Sequence, residues 1–146
     1  MRTDGGLRQL MRARIPWFHW VTVETSATAA GVPDCEYCHD GVQGWVENKL
    51  TRGLAIDVWP TQVAWIERRI RAGGRVHVAV RRQCAAGPRR GPGCDELWLF
   101  NGNAVRALCE REIVLDDVGR LHACGVWYGG PARWDWAAVA DVLKSG

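Results

Sequence analysis

The sequence predicts an α/β fold in which a mixed central sheet is flanked by helices, with an αβββαβ core. Three observations predict it. Amphipathic helical spacing occurs near the N-terminus and again after Pro60, and runs of aromatic and β-branched residues lie between and after these segments. The chain has 146 residues, 47% of them hydrophobic, which suits one domain with a buried core.

Leu7, Leu10, Met11 and Ile15 recur at helical spacing behind Thr3 or Asp4 as a cap, so residues 4–14 read as a helix that stops before Pro16. "WFHWVTVE", residues 17–24, reads as a strand, followed by the small-residue loop "TSATAAG". Residues 34–39 and 43–50 form a hairpin across Asp40-Gly41, a pair suited to positive φ. Pro60 suits a first helical position, Val63, Ile66 and Ile70 make an apolar stripe, and Gly73-Gly74 ends a helix over 60–72. "RVHVAV", residues 75–80, alternates like a strand. Residues 83–95, "QCAAGPRRGPGCD", have no period and read as a mobile loop that contacts phosphates. "ELWLF" is a strand, "NAVRALCER" a short helix, and "WDWAAVADVLK" a closing helix capped near Asp135. Leaving out the short helix, the order is α-β-β-β-α-β-β-α in a single domain over 1–146, with its core at about 4–82 and the C-terminal strand and helices at 95–146.

No apolar run approaches the roughly 18 residues of a membrane span, and the first 16 residues lack the apolar stretch of a signal peptide. A cytoplasmic protein with no membrane partner is expected. In that compartment the six cysteines read as free thiols. Cys35-Glu36-Tyr37-Cys38-His39 has the form of a haem-attachment motif, but covalent haem needs export, so no haem is expected. A zinc or thiol module is the least favoured reading. The chain holds one C-x-x-C pair, Cys84, Cys94, Cys109 and Cys124 stand singly, and a strand places Cys35 and Cys38 on opposite faces. Cys35 and Cys38 are expected to pack as small hydrophobes. His19 and His77 lie in strand segments and read as structural.

Charge is uneven. Residues 1–94 carry 14 basic and 8 acidic side chains, residues 95–146 carry 5 and 8, and the stretch from Arg68 to Arg90 holds eight arginines and no carboxylate. Such a surface suits phosphate contacts, and Arg52, Arg68, Arg69 and Arg75 are the candidate nucleic-acid-binding residues. Trp59, just before the second helix, and Trp65, on it, can stack on exposed bases, although most of the nine tryptophans are expected in the core.

The acidic constellation carries the chemistry. Glu47 and Lys49 share one face of a strand, and Asp34 begins the strand paired with it. Two carboxylates meeting there can hold a hard cation such as Mg²⁺. A bound Mg²⁺ activates water and neutralises a phosphodiester. Lys49 is one of only two lysines among 19 basic residues, so a general need for positive charge would have been met by arginine here. A compact ammonium with an adjustable pKa is what position 49 requires.

"GVPDCEYCHDGVQGWVENK" resembles the G-x-P-D, apolar strand, turn, W-[IV]-E-x-K pattern of the PD-(D/E)XK nuclease superfamily. "WPTQVAWIERRIRAGGRVHVAVR" resembles the Q-x-x-W helix and valine-rich strand that follow in its small phage and prophage members, the Holliday-junction resolvases and virus-type replication-repair nucleases. The likeness covers residues 17–82, about half the chain. It implies a restriction-endonuclease-like core and a Mg²⁺-dependent deoxyribonuclease in which Mn²⁺ can substitute. Asp34, Glu47 and the Asn48 carbonyl would be metal ligands, Lys49 the catalytic lysine, and Gln62 a residue that orients water or contacts the scissile phosphate. An upstream acid is also implied, with Glu24 preferred to Asp4. By analogy the substrate is branched DNA or a single-/double-strand junction, the protein is a homodimer, and the setting is a phage or prophage in a bacterial cell. The alternative is a DNA-binding protein of the same fold with weak or no catalysis.

Overall fold

A computed structural model describes residues 4–23, 31–89 and 91–145. Its elements are α1 (Leu7–Arg14), β1 (His19–Thr22), β2 (Cys35–His39), β3 (Val42–Thr51), α2 (Pro60–Arg71), β4 (Val76–Cys84), β5 (Cys94–Asn101), α3 (Val105–Cys109), β6 (Gly125–Trp127) and α4 (Trp136–Lys144). The strands form one sheet in sequential order, β1 to β6. Only β3 and β4 run parallel, because α2 carries the chain back between them; every other neighbouring pair is antiparallel.

The sheet is covered on both faces. On one face α1 and α4 bury Leu7, Met11, Val139 and Leu143 against Cys35, Tyr37, Val46 and Leu99. On the other, α2 and α3 bury Val63, Ile66 and Leu108 against Val78, Val80 and Phe100. The alternation of β3 follows from this division. Val46 lies in the first core, whereas Trp45 packs against the second and Glu47 and Lys49 meet α2.

The predicted αβββαβ order is observed, with shifts at element ends. The first helix begins at Leu7 rather than 4, because Asp4-Gly5-Gly6 forms a turn with both glycines at positive φ. The first strand is confined to His19–Thr22, and Glu24 lies outside the described residues. The Asp40-Gly41 turn has φ of 49° and 77°, as a two-residue hairpin with right-handed strand twist demands. The short strand β6 was not expected; three residues are too few to show a period.

Two expectations about the third quarter are overturned. The loop expected over 83–95 is shorter: β4 extends to Cys84, β5 starts at Cys94, and between them Gly87 and Gly91 exchange backbone hydrogen bonds of 3.1 and 3.0 Å. Nor are all the cysteines free. Cys84 and Cys94 face each other in the β4–β5 register and are joined by a disulfide, while Cys35, Cys38, Cys109 and Cys124 are thiols. Cys35 is buried as expected of a small hydrophobe, but Cys38 is exposed. Among the described residues no helix is long and apolar enough to cross a membrane.

Candidate active site

Asp34 precedes β2, one step beyond the Cys35↔Val46 pair, and this register sets it beside Glu47 and Asn48. Its Oδ1 accepts hydrogen bonds from the Asn48 backbone N–H and from Asn48 Nδ2, both 3.1 Å. The Asn48 side chain therefore orients the first carboxylate, a role the sequence reading missed by assigning only its carbonyl. Asn48 Nδ2 also reaches Cys35 Sγ at 3.4 Å, tying this arrangement to the core.

On the face of β3 away from the Asn48 side chain, Gln62 joins Glu47 and Lys49. Lys49 Nζ donates to Gln62 Oε1 at 2.9 Å, and Gln62 Nε2 donates to Glu47 Oε1 at 2.9 Å. Gln62 Oε1 also accepts the Trp59 backbone N–H at 2.9 Å, which caps the start of α2. One amide thus serves as helix cap and as the bridge between an acid and a lysine. Lys49 Nζ lies 3.7 Å from Glu47 Oε1. Gln62 therefore stands against Lys49 and Glu47, the residues with which the sequence reading grouped it.

The "GVPD" turn fits onto the same helix start. Gly31 has φ of 86°, and a Cβ there would collide with the Thr61 carbonyl. Turn, helix cap and strand are consequently packed as one unit around Asp34, Glu47 and Lys49.

The site is electrostatically strained. Burial, and then repulsion from Asp34, push the Glu47 carboxyl up to about 8 against the pull of Lys49. Asp34 is raised to about 6, mainly by burial, with hydrogen bonds from Asn48 acting the other way and Asp4 adding repulsion. Glu47 Oε2 is buried with no hydrogen-bond partner. An orphaned carboxylate oxygen beside a second, half-buried carboxylate fits a hard divalent cation, which would satisfy the oxygen and offset the repulsion. Among the described residues no group of three or more His, Cys, Asp and Glu side chains gathers at one point, so protein carboxylates would supply two ligands there. Mg²⁺ is commonly held in that way, with waters and substrate phosphate completing its shell.

Asp4, the less favoured upstream acid, is buried at 6% exposure and is close enough for its charge to act on Asp34. It also accepts hydrogen bonds from the N–H groups of Gly6 (2.9 Å) and Arg8 (3.2 Å), so it anchors the first turn of α1. The Arg8 charge draws Asp34 downward, another influence absent from the sequence reading.

No family model and no curated protein sequence matches this chain.

The candidate nucleic-acid-binding arginines separate into two places. Arg52 is exposed one residue past the end of β3, three positions beyond Lys49. Arg68 and Arg69 are exposed on the last turns of α2, and Arg75 precedes β4 beside Gly44 and Trp45, at the other end of the strand. Arg81 and Arg82 are occupied: Arg81 makes a bidentate pair with Asp95 (2.9 and 2.7 Å) and Arg82 meets Glu96 at 3.2 Å. The predicted basic run is therefore partly structural. His77 is buried and its pKa falls to about 4 through burial, which keeps it neutral. Trp59 stands 66% exposed beside the site, whereas Trp20, Trp98, Trp134 and Trp136 are buried.

Proposed function

We propose that the protein is a divalent-metal-dependent deoxyribonuclease of the PD-(D/E)XK type. The observation that carries this reading is the bridge from Lys49 through Gln62 to Glu47, set beside Asp34. An ordinary solvated Glu-x-Lys pair needs neither burial nor a shared glutamine.

Asp34 and Glu47 would hold Mg²⁺ or Mn²⁺, with the Asn48 backbone carbonyl as a further oxygen donor, while Asp4 acts on Asp34 through its charge without joining the pair. The cation supplies charge neutralisation at the phosphate and activation of water. Lys49 Nζ, held by Gln62 Oε1, would hold the attacking water and donate a hydrogen bond to the phosphate as negative charge builds on it. Hydrolysis joins the water oxygen to phosphorus and breaks one P–O ester bond, and the water's proton ends on the leaving oxygen. Gln62 maintains the Lys49–Glu47 spacing, Asn48 the orientation of Asp34. Arg52 and the exposed Trp59 offer phosphate and base contacts near the site. Branched DNA as substrate and a homodimeric state come from the resemblance alone.

A non-cleaving DNA-binding protein of the same fold is the second reading. It is favoured by the lack of a third carboxylate gathered with the pair among the described residues. Incubation with linear duplex, single-stranded, flap and four-way DNA, in Mg²⁺ or EDTA, separates the two. The nuclease reading expects metal-dependent products with at least one of these DNAs. Binding without products in Mg²⁺ and in Mn²⁺ supports the second reading instead.

A further inference from the structure

A cavity of about 360 Å³ lies at the end of the sheet away from Lys49, between the β2–β3 turn and the end of α2, with Arg69 and Arg75 in its wall. That volume is at the small end of the range of ligand pockets. Three features of the cavity point to an anion. No carboxylate is among its lining residues, and neither arginine forms an ion pair among the described residues. Arg75 Nε is buried without a hydrogen-bond partner, a donor whose desolvation nothing in the protein offsets. Arg69 is held in place by its face: its guanidinium carbon lies 4.7 Å from the Trp65 ring centre and 5.6 Å from that of Trp45, and these rings meet edge to face. Stacking uses the guanidinium face and leaves its in-plane N–H groups for an acceptor.

From these observations we propose that the Arg69–Arg75 cavity binds a phosphate group, as a second anchoring point separate from the Asp34–Glu47 site. Two guanidinium groups in a recess suit the planar, charge-assisted hydrogen bonding that phosphate accepts. The backbone N–H groups of Gly73 and Gly74 are already bonded to Ile70 and Arg69 carbonyls, so the arginine side chains supply the donors. Trp45 shares a strand face with Glu47 and Lys49, and two residues along a strand span roughly 7 Å. On the nucleic-acid reading the phosphate, internal or terminal, belongs to the strand bound at the acidic site. This rests on the nucleic-acid reading only for the origin of the phosphate.

The test is done in EDTA, so that cleavage plays no part. Inorganic phosphate is titrated into the whole protein at constant ionic strength while the Arg side-chain Nε–H signals are followed by NMR. The expected result is saturable shifts at Arg69 and Arg75, with affinity reduced about tenfold in Arg75→Gln and in Arg69→Gln and unchanged in Arg133→Gln, a change at an exposed arginine outside the cavity. Thermal melting of each variant checks folding, and the wild-type shifts stand independently of the variants. Oligonucleotides with a 5′-phosphate or a 5′-hydroxyl then identify the source. Tighter binding of the former assigns a terminal phosphate, and equal binding weakened in Arg75→Gln assigns an internal one. Absence of saturable shifts at both arginines, or variants that bind phosphate like the wild type, overturns the proposal. Failure of DNA cleavage with phosphate binding intact contradicts the nuclease reading and not the cavity.

Discussion

At the residue scale, the chemistry rests on a lysine in an arginine-rich chain. Lys49 Nζ is held by Gln62 Oε1 at 2.9 Å, a geometry made for one compact ammonium. Lys49→Arg keeps the charge but changes its shape and fixes its protonation. It should lower the single-turnover cleavage rate by about 100-fold or more and leave DNA affinity within about twofold, read by gel assay and fluorescence anisotropy respectively. That Asp34, Glu47 and Lys49 lie together was legible in the sequence because the hairpin turn sets their register locally. Asn48 as the residue that orients Asp34 was not. Its role depends on which side chain points across the strand gap, and the motif spacing does not carry that information.

At the element scale, the start of α2 is where turn, strand and helix interlock. Gly31 occupies a left-handed conformation against the Thr61 carbonyl, and Gln62 one residue later caps the helix and bridges Lys49 to Glu47. Gly31→Ala should therefore destabilise the protein by roughly 1–3 kcal/mol, measured by denaturant unfolding. It should also reduce cleavage by more than the loss of folded protein accounts for, because the "GVPD" turn can seat only by displacing the helix start. The Pro60 start, the Asp40-Gly41 turn and the valine-rich strand were readable from local residue chemistry. The β4–β5 hairpin was not: Gly and Pro signalled irregular backbone, while the Cys84–Cys94 pairing and the bonds of Arg81 and Arg82 depend on a register formed by the strands together. Equally, α2 carries Arg68 and Arg69 away from Lys49, so a run that is continuous in sequence becomes two separate basic places.

At the scale of the whole molecule, burying the acidic pair makes folding depend on pH. Both carboxyls have folded pKa values above their ordinary ones, Glu47 from 4.5 to about 8 and Asp34 from 3.8 to about 6. The folded state thus holds protons that the unfolded chain releases. Their contribution to stability is fully present at acid pH, below the unfolded values, and is lost as pH rises through about 6 and then about 8. In EDTA, melting temperature should fall between about pH 5 and pH 8, and Glu47→Gln should flatten that fall. Added Mg²⁺ should raise the melting temperature most at the alkaline end, where the cation no longer competes with protons. A profile identical in wild type and Glu47→Gln would mean that Glu47 is not the buried proton holder.

The most direct measurement is single-turnover cleavage of end-labelled DNA by wild type and Glu47→Ala, each in Mg²⁺, in Mn²⁺ and in EDTA, with binding followed in parallel. The wild type should cut in either metal and not in EDTA. Glu47→Ala should cut more slowly by about 1,000-fold or more, with DNA binding retained. DNA that is bound but never cut in Mg²⁺ or Mn²⁺, or a Glu47→Ala protein that cuts as fast as the wild type, would contradict the nuclease reading.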